Sequence, residues 1–160
     1  MPRLANQHIN FPIVLRMQGW LLLIEATFML LPLAVSWYFN ETSALRAFIY
    51  STVITATAGV GMAFGIKPRS KSMNKREGLM LTAIVWVFFS LFGMLPYLFS
   101  ATFNNVTDAF FETMAGFTTT GSSVIRYVEE IPHGVLFWRA MTQWIGGMGI
   151  ILFTLAVIPM

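Results

Sequence analysis

The sequence has no cysteine, only two histidines, and charged side chains at just 11% of its 160 positions. Without thiols there can be no disulfide and no thiolate metal centre. His8 and His133 both lie outside the apolar runs, and no metal cluster or nucleophile with a nearby base is visible, so the common enzyme constellations are missing. A soluble domain carries roughly 25% charged residues. Here 56% of residues are hydrophobic, which marks an integral membrane chain. The net charge of +3 does not point to nucleic acid, because the basic residues gather in one short loop between apolar runs. That pattern is topological, and no nucleic-acid partner is expected.

What the chain does have is a series of long apolar runs. Residues 17–39 are long enough to span a bilayer, with Trp20 at one end and Trp37 and Tyr38 at the other as interfacial anchors. Glu25 interrupts this run about 12 Å along the helix from Met17, at ~1.5 Å per residue. An acid at that depth should face protein or a water-filled cavity, either hydrogen-bonded to a neighbouring helix or serving an ion pathway. After the polar turn 40–43 a second span covers 45–66, with Gly59, Gly61 and Gly65 permitting close helix packing. Residues 67–77 then hold Lys67, Arg69, Lys71, Lys75 and Arg76, five of the ten basic residues, against the single acid Glu77. The positive-inside rule makes this loop cytoplasmic and leaves both ends of the sequence on the same side. A third span is expected over 78–103, with Pro96 near its far end and Trp86 packed against protein. The fourth, 140–160, follows a polar linker at 124–133 and Trp138 as an anchor. Its run Gly146-Gly147-Met148-Gly149 should bend or weaken the helix while letting another backbone approach.

Between the third and fourth spans lies NVTDAFFETMAGFTTTGSS, residues 105–123, too short and too polar at its ends to cross. Asn105 is a good N-cap, and Asp108 and Glu112 place negative charge near the positive end of a helix over 106–117. Phe110, Phe111, Met114 and Phe117 give that helix a wide apolar surface. The stretch 118–123 then carries no apolar side chain. Polar irregular backbone at membrane depth survives only inside protein or beside water, so helix plus Thr/Gly stretch has the plan of a re-entrant pore loop. Consecutive carbonyls of an extended Thr/Gly stretch, with threonine hydroxyls, would replace the hydration shell of K⁺. Taken alone, the hexapeptide suits an outer helix and turn equally well; the flanking spans favour the pore loop. Glu129 and Glu130 are either solvated or a lure for cations at the pore mouth.

The segments DAFFETMAGFTTTGSSV and LFWRAMTQWIGGMGIILF resemble the first pore-loop repeat of the Trk/Ktr/HKT superfamily of K⁺ transporters, in its bacterial Trk membrane-subunit branch. The run GWLLLIEATFMLLPLAVSWYF resembles the extra helix pair preceding the repeats in that branch. The resemblance implies an all-α integral membrane protein with an N-terminal transmembrane helix pair (1–66), the basic cytoplasmic loop (67–77) and one helix/pore-loop/helix repeat (78–160). The repeat would contain a pore helix at 106–117 and a filter at 118–123. It further implies that Thr118, Thr119, Thr120 and Gly121 form the first repeat's K⁺ filter, with K⁺ as the transported ion. A homodimer of the full-length chain in the cell inner membrane and a cytosolic nucleotide-binding regulatory subunit are the implied partners. Family pores need four repeats and this sequence supplies one, so either it is the N-terminal part of a longer chain or several copies assemble. The first is expected, because assembly would repeat the two extra spans around each pore. The competing functions are a non-channel membrane transporter or enzyme with a buried polar site at Glu25 and Arg139, and a structural or assembly subunit.

Overall fold

A computed structural model describes residues 10–67 and 75–157. They form α1 (Phe11–Phe28), α2 (Leu30–Tyr38), α3 (Thr42–Gly65), α4 (Lys75–Gly93), α5 (Leu95–Phe99), α6 (Val106–Phe117) and α7 (His133–Val157), with a 3₁₀ turn at Val128–Glu130 and no strand among the described residues. Phe11–Tyr38, Thr42–Gly65 and Arg76–Phe99 are each long and apolar enough to cross a membrane. The fourth expected span falls on the 25-residue α7. Residues 158–160 lie outside the described residues, as do 68–74, which make up most of the basic loop.

Several boundaries move from their expected places for local reasons. The first helix begins at Phe11 rather than at 17, because Pro12 sits in its first turn, where a missing N–H costs nothing. Lys75, Arg76 and Glu77 belong to α4 rather than to a loop; acidic Glu77 suits a helix start, and its carboxylate accepts the Asn10 amide at 2.8 Å. The third span ends at Phe99 instead of 103. There Ala101 takes φ 58°, and the amides of Ala101 and Thr102 close on the carbonyls of Leu98 and Tyr97. The last helix starts at His133 rather than 140, because the Glu41 carboxylate, 92 residues upstream, accepts its first amides.

The packing follows from small residues and one broken ladder. α1 lies along α3 and α4, α2 along α3 and α7, and the short α6 is held between α4 and α7. At the α1/α3 crossing a Cβ on Gly19 would stand 2.8 Å from the Gly59 carbonyl oxygen, so the two backbones touch. Pro96 has no amide to give, and Tyr97 bonds back to Met94 at 3.1 Å, which leaves the Gly93 carbonyl without its usual helical partner. The indole of Trp138 donates to that carbonyl at 2.9 Å. Trp138 is therefore a core residue with no exposed surface, packed edge-on to Phe48 and Phe117, and not the interfacial anchor expected of it. Trp86 packs on the same core from the side, as expected.

Candidate functional site

The polar stretch 118–123 begins where α6 stops, and the stop has a definite geometry. Thr118 is the C-cap in αR conformation, Thr119 follows at φ 57° and Gly121 at φ 75°. The Thr119 amide donates to the Gly116 carbonyl at 2.9 Å and the Thr120 amide to the Ala115 carbonyl at 3.0 Å. This is a Schellman termination, which ordinarily carries glycine at the left-handed position. Here that position is a β-branched threonine, a conformation that costs of order 1–3 kcal/mol. The backbone is thus a tight turn at 118–119, not the extended strand expected from Thr118 onward.

The turn sets the direction of the carbonyls. The amides of Thr118, Thr119, Thr120 and Gly121 all point back at the last turn of α6, reaching Met114, Gly116 and Ala115 oxygens at 2.9 to 3.3 Å. In a trans peptide the C=O of one residue opposes the N–H of the next. The carbonyls of Thr118, Thr119 and Thr120 therefore face away from the helix, and none accepts a hydrogen bond among the described residues. The Thr118 hydroxyl is committed to the Met114 carbonyl at 2.7 Å and lies 2.9 Å from the Thr120 hydroxyl. Thr119, Thr120 and Gly121 are exposed on the surface of this chain.

Two close approaches fix the end of α6 against α7. A Cβ on Gly146 would run into the Phe117 carbonyl, and one on Gly116 into the Thr142 hydroxyl. The glycine run of α7 therefore admits a backbone, as expected, and the helix continues unbroken to Val157.

Glu112 occupies a place that the sequence reading did not assign. It lies mid-helix on the buried face of α6, with its side chain 1% exposed, and does not serve the helix dipole. Its Oε1 accepts the Arg139 guanidinium Nε at 2.6 Å, and its Oε2 accepts the Val124 amide at 2.9 Å. The Ser123 hydroxyl lies 2.9 and 3.1 Å from the two oxygens. The signal for this pair was present. A lone acid within FFETMAGF and a lone base within FWRAM are opposite charges in apolar surroundings, and such groups find each other.

No hydrogen bond or ion pair joins Glu25 to Arg139 among the described residues, and Arg139 pairs with Glu112 instead. Glu25 is buried within the α1 span, and the Oε1 position stands 2.9 Å from where a Cβ on Gly93 would be. Neither of its oxygens has a hydrogen-bond partner among the described residues, so the expected bond to a neighbouring helix is not formed. Asn105 does occupy the N-cap of α6, but its amide donates to the Asp108 carboxylate at 3.4 Å and caps no backbone N–H.

A cleft of about 770 Å³ opens beside the C-terminal end of the stretch, lined in part by Asp108, Val124, Arg126 and Glu130. Glu129 and Glu130 sit on the exposed 3₁₀ turn. Beyond it, Glu41 accepts the His133 amide at 2.7 Å, the Gly134 amide at 3.1 Å and the His133 ring Nδ1 at 2.8 Å. A carboxylate from the α2–α3 turn thus caps α7, which is why that helix starts as early as His133. Burial works against the charged carboxyl, but the Gly134 amide, the His133 imidazole and the His133 amide outweigh it and hold its pKa below the usual carboxylate value.

These features define an all-helical, multi-pass membrane protein in which a short, half-buried helix ends in a polar turn beside a long apolar one. The chain belongs to the TrkH cation transport protein family, whose model, described as "TrkH: Cation transport protein", matches residues 41–160. It is 32% identical over 152 residues to the Trk system potassium uptake protein TrkH of Escherichia coli K12, covering 94% of this chain and 31% of that protein. The corresponding protein of Halomonas elongata is 34% identical over 152 residues, again 94% of this chain and 31% of that one. The crystal structure of the potassium transporter TrkH from Vibrio parahaemolyticus superposes with a TM-score of 0.87 at 31% identity, over 94% of this chain and 32% of that one. The chain therefore spans about a third of the length of these relatives.

Proposed function

We propose that this chain supplies one repeat of a K⁺ uptake pathway across the cell inner membrane, with Thr118, Thr119, Thr120 and Gly121 as its share of a selectivity filter. The observation that carries the reading is the turning of the 118–121 amides onto α6, which sends the Thr118, Thr119 and Thr120 carbonyls the other way and leaves them without hydrogen-bond partners among the described residues. A cation that loses its hydration shell needs such oxygens at fixed spacing, and the C-terminal end of a helix adds a favourable field. The relatives' potassium uptake makes K⁺ the ion proposed. The rest of the filter would come from further repeats of a longer chain. By family resemblance, the full-length protein forms a homodimer and answers to a cytosolic nucleotide-binding regulatory subunit, with both ends of this segment cytoplasmic.

The test is Rb⁺ and K⁺ uptake in transport-deficient cells expressing the full-length chain. A Cβ at position 121 meets nothing within 4 Å, but φ 75° is strained for any L side chain. Gly121→Ser is expected to reach the membrane at normal abundance and to lose discrimination between K⁺ and Na⁺. Unchanged uptake ratios and unchanged K⁺ dependence would remove the filter assignment.

A further inference from the structure

The inner end of the 118–121 stretch is anchored by the Schellman turn, but that turn ends at Gly121. Beyond it the chain makes no backbone bond to α6 among the described residues. Its attachment there is the Glu112 carboxylate, which takes the Ser123 hydroxyl and the Val124 amide at 2.9 Å each. The same carboxylate is gripped from the far side by Arg139 of α7 at 2.6 Å.

We infer that Glu112 is the positioning residue for the outer end of the filter, setting where the stretch after Gly121 stands relative to the pore helix and so how well this repeat distinguishes K⁺ from Na⁺. The inference rests on the filter reading above. A carboxylate buried to 1% exposure, with both oxygens engaged by charged or oriented donors, is a stiff point in the structure. Arg139 supplies the charge that makes burial of Glu112 tolerable and orients it. Ser123 and Val124 are then placed by direct bonds to a group that cannot move independently of α6 and α7. Selectivity that depends on the number and field strength of filter oxygens is sensitive to how firmly the backbone on either side is held.

The experiment measures Rb⁺ uptake under Na⁺ competition in cells expressing the full-length chain, normalised to membrane abundance. Glu112→Gln keeps the side-chain volume and can still accept from one donor, but loses the charge that holds Arg139. It is expected to lower K⁺ over Na⁺ discrimination about tenfold, equivalent to about 1.4 kcal/mol. Ser123→Ala removes the hydroxyl from the exposed side without unpairing Arg139, and should shift the ratio in the same direction by a smaller factor. Because Ser123 is exposed, this variant decides the question if Glu112→Gln fails to reach the membrane. A merely structural Glu112 would lower abundance and leave the ratio of the surviving protein unchanged, which would overturn the inference. Gly121→Ser serves as the control. If it loses selectivity while the Glu112 and Ser123 variants keep theirs, only the positioning role fails; if none of them changes, the filter reading fails and the role of Glu112 with it.

Discussion

Replacing Gly146 by alanine would place a methyl group against the backbone of Phe117, at the point where α6 ends and the polar stretch begins. The new Cβ would overlap the Phe117 carbonyl oxygen and stand 2.7 Å from its carbon and 2.9 Å from its Cα. Backbone cannot swing aside as a side-chain tip does, so α7 and the end of α6 must separate. Overpacking of this kind costs about 1–3 kcal/mol, and a backbone obstacle belongs at the upper end of that range. Alanine regains up to about 1 kcal/mol of helix propensity relative to glycine, leaving a net loss of about 1–2 kcal/mol. The neighbouring Gly147 is the internal comparison, because a Cβ there meets only the Thr119 methyl at 3.8 Å, an ordinary contact. Gly147→Ala should be neutral or stabilising by up to about 1 kcal/mol. Thermal unfolding of the purified full-length variants in one detergent gives both values. Equal effects at the two positions, or an unperturbed Gly146→Ala, would refute the close approach of α7 to the C-terminal end of α6.

Trp138→Phe keeps most of the buried ring but leaves the Gly93 carbonyl without its donor, and should cost about 1–3 kcal/mol for the unsatisfied group alone; the same unfolding measurement reads it, and a loss below about 0.5 kcal/mol would show that the Gly93 carbonyl does not depend on the indole. Glu41 has a folded-state pKa below its usual value of about 4.3, so its tether to α7 is fully present above that pH and fades as pH falls through the lower folded value. Unfolding measured against pH should accordingly show a loss of stability on the acid side that is blunted in Glu41→Gln, and identical profiles would contradict the capping role. Single cysteines introduced into this cysteine-free sequence at Ser43 and Ser72 should label from outside and inside respectively, and the reverse pattern would invert the proposed orientation.

Much of the architecture was legible because membrane helices are written in long apolar runs, and Pro, Gly and the charged turns mark their ends. α3 lies within three residues of its expected limits, since Thr42 and Gly65 are local signals. The boundaries that moved depend on distant partners. Near His133 the local signal for a helix start is Pro132, and the side-chain cap itself is Glu41 from another turn. Trp138 read as an interfacial anchor because tryptophan near a span end usually is one, while its real partner is the Gly93 carbonyl, left free where the Tyr97 amide turns to Met94. At the candidate site, composition pointed to Thr118–Gly121, but the Schellman turn with threonine at its left-handed position was not legible, since propensity alone would have asked for glycine there. Glu112 and Arg139 were each noticed and assigned to different tasks. Their pairing requires α6 and α7 to lie side by side, a tertiary fact carried by Gly116 and Gly146 more than by the charges themselves.

The central claim is that carbonyls of the 118–121 stretch face a dehydrated cation. It is tested most directly by crystals of the full-length protein grown with Tl⁺ or Rb⁺ in place of K⁺, with the ion located by its anomalous signal. The account expects a peak bordered by the carbonyl oxygens of Thr118, Thr119 and Thr120, weakened or displaced in Gly121→Ser. Anomalous density elsewhere in the protein, with none beside those oxygens, would contradict it.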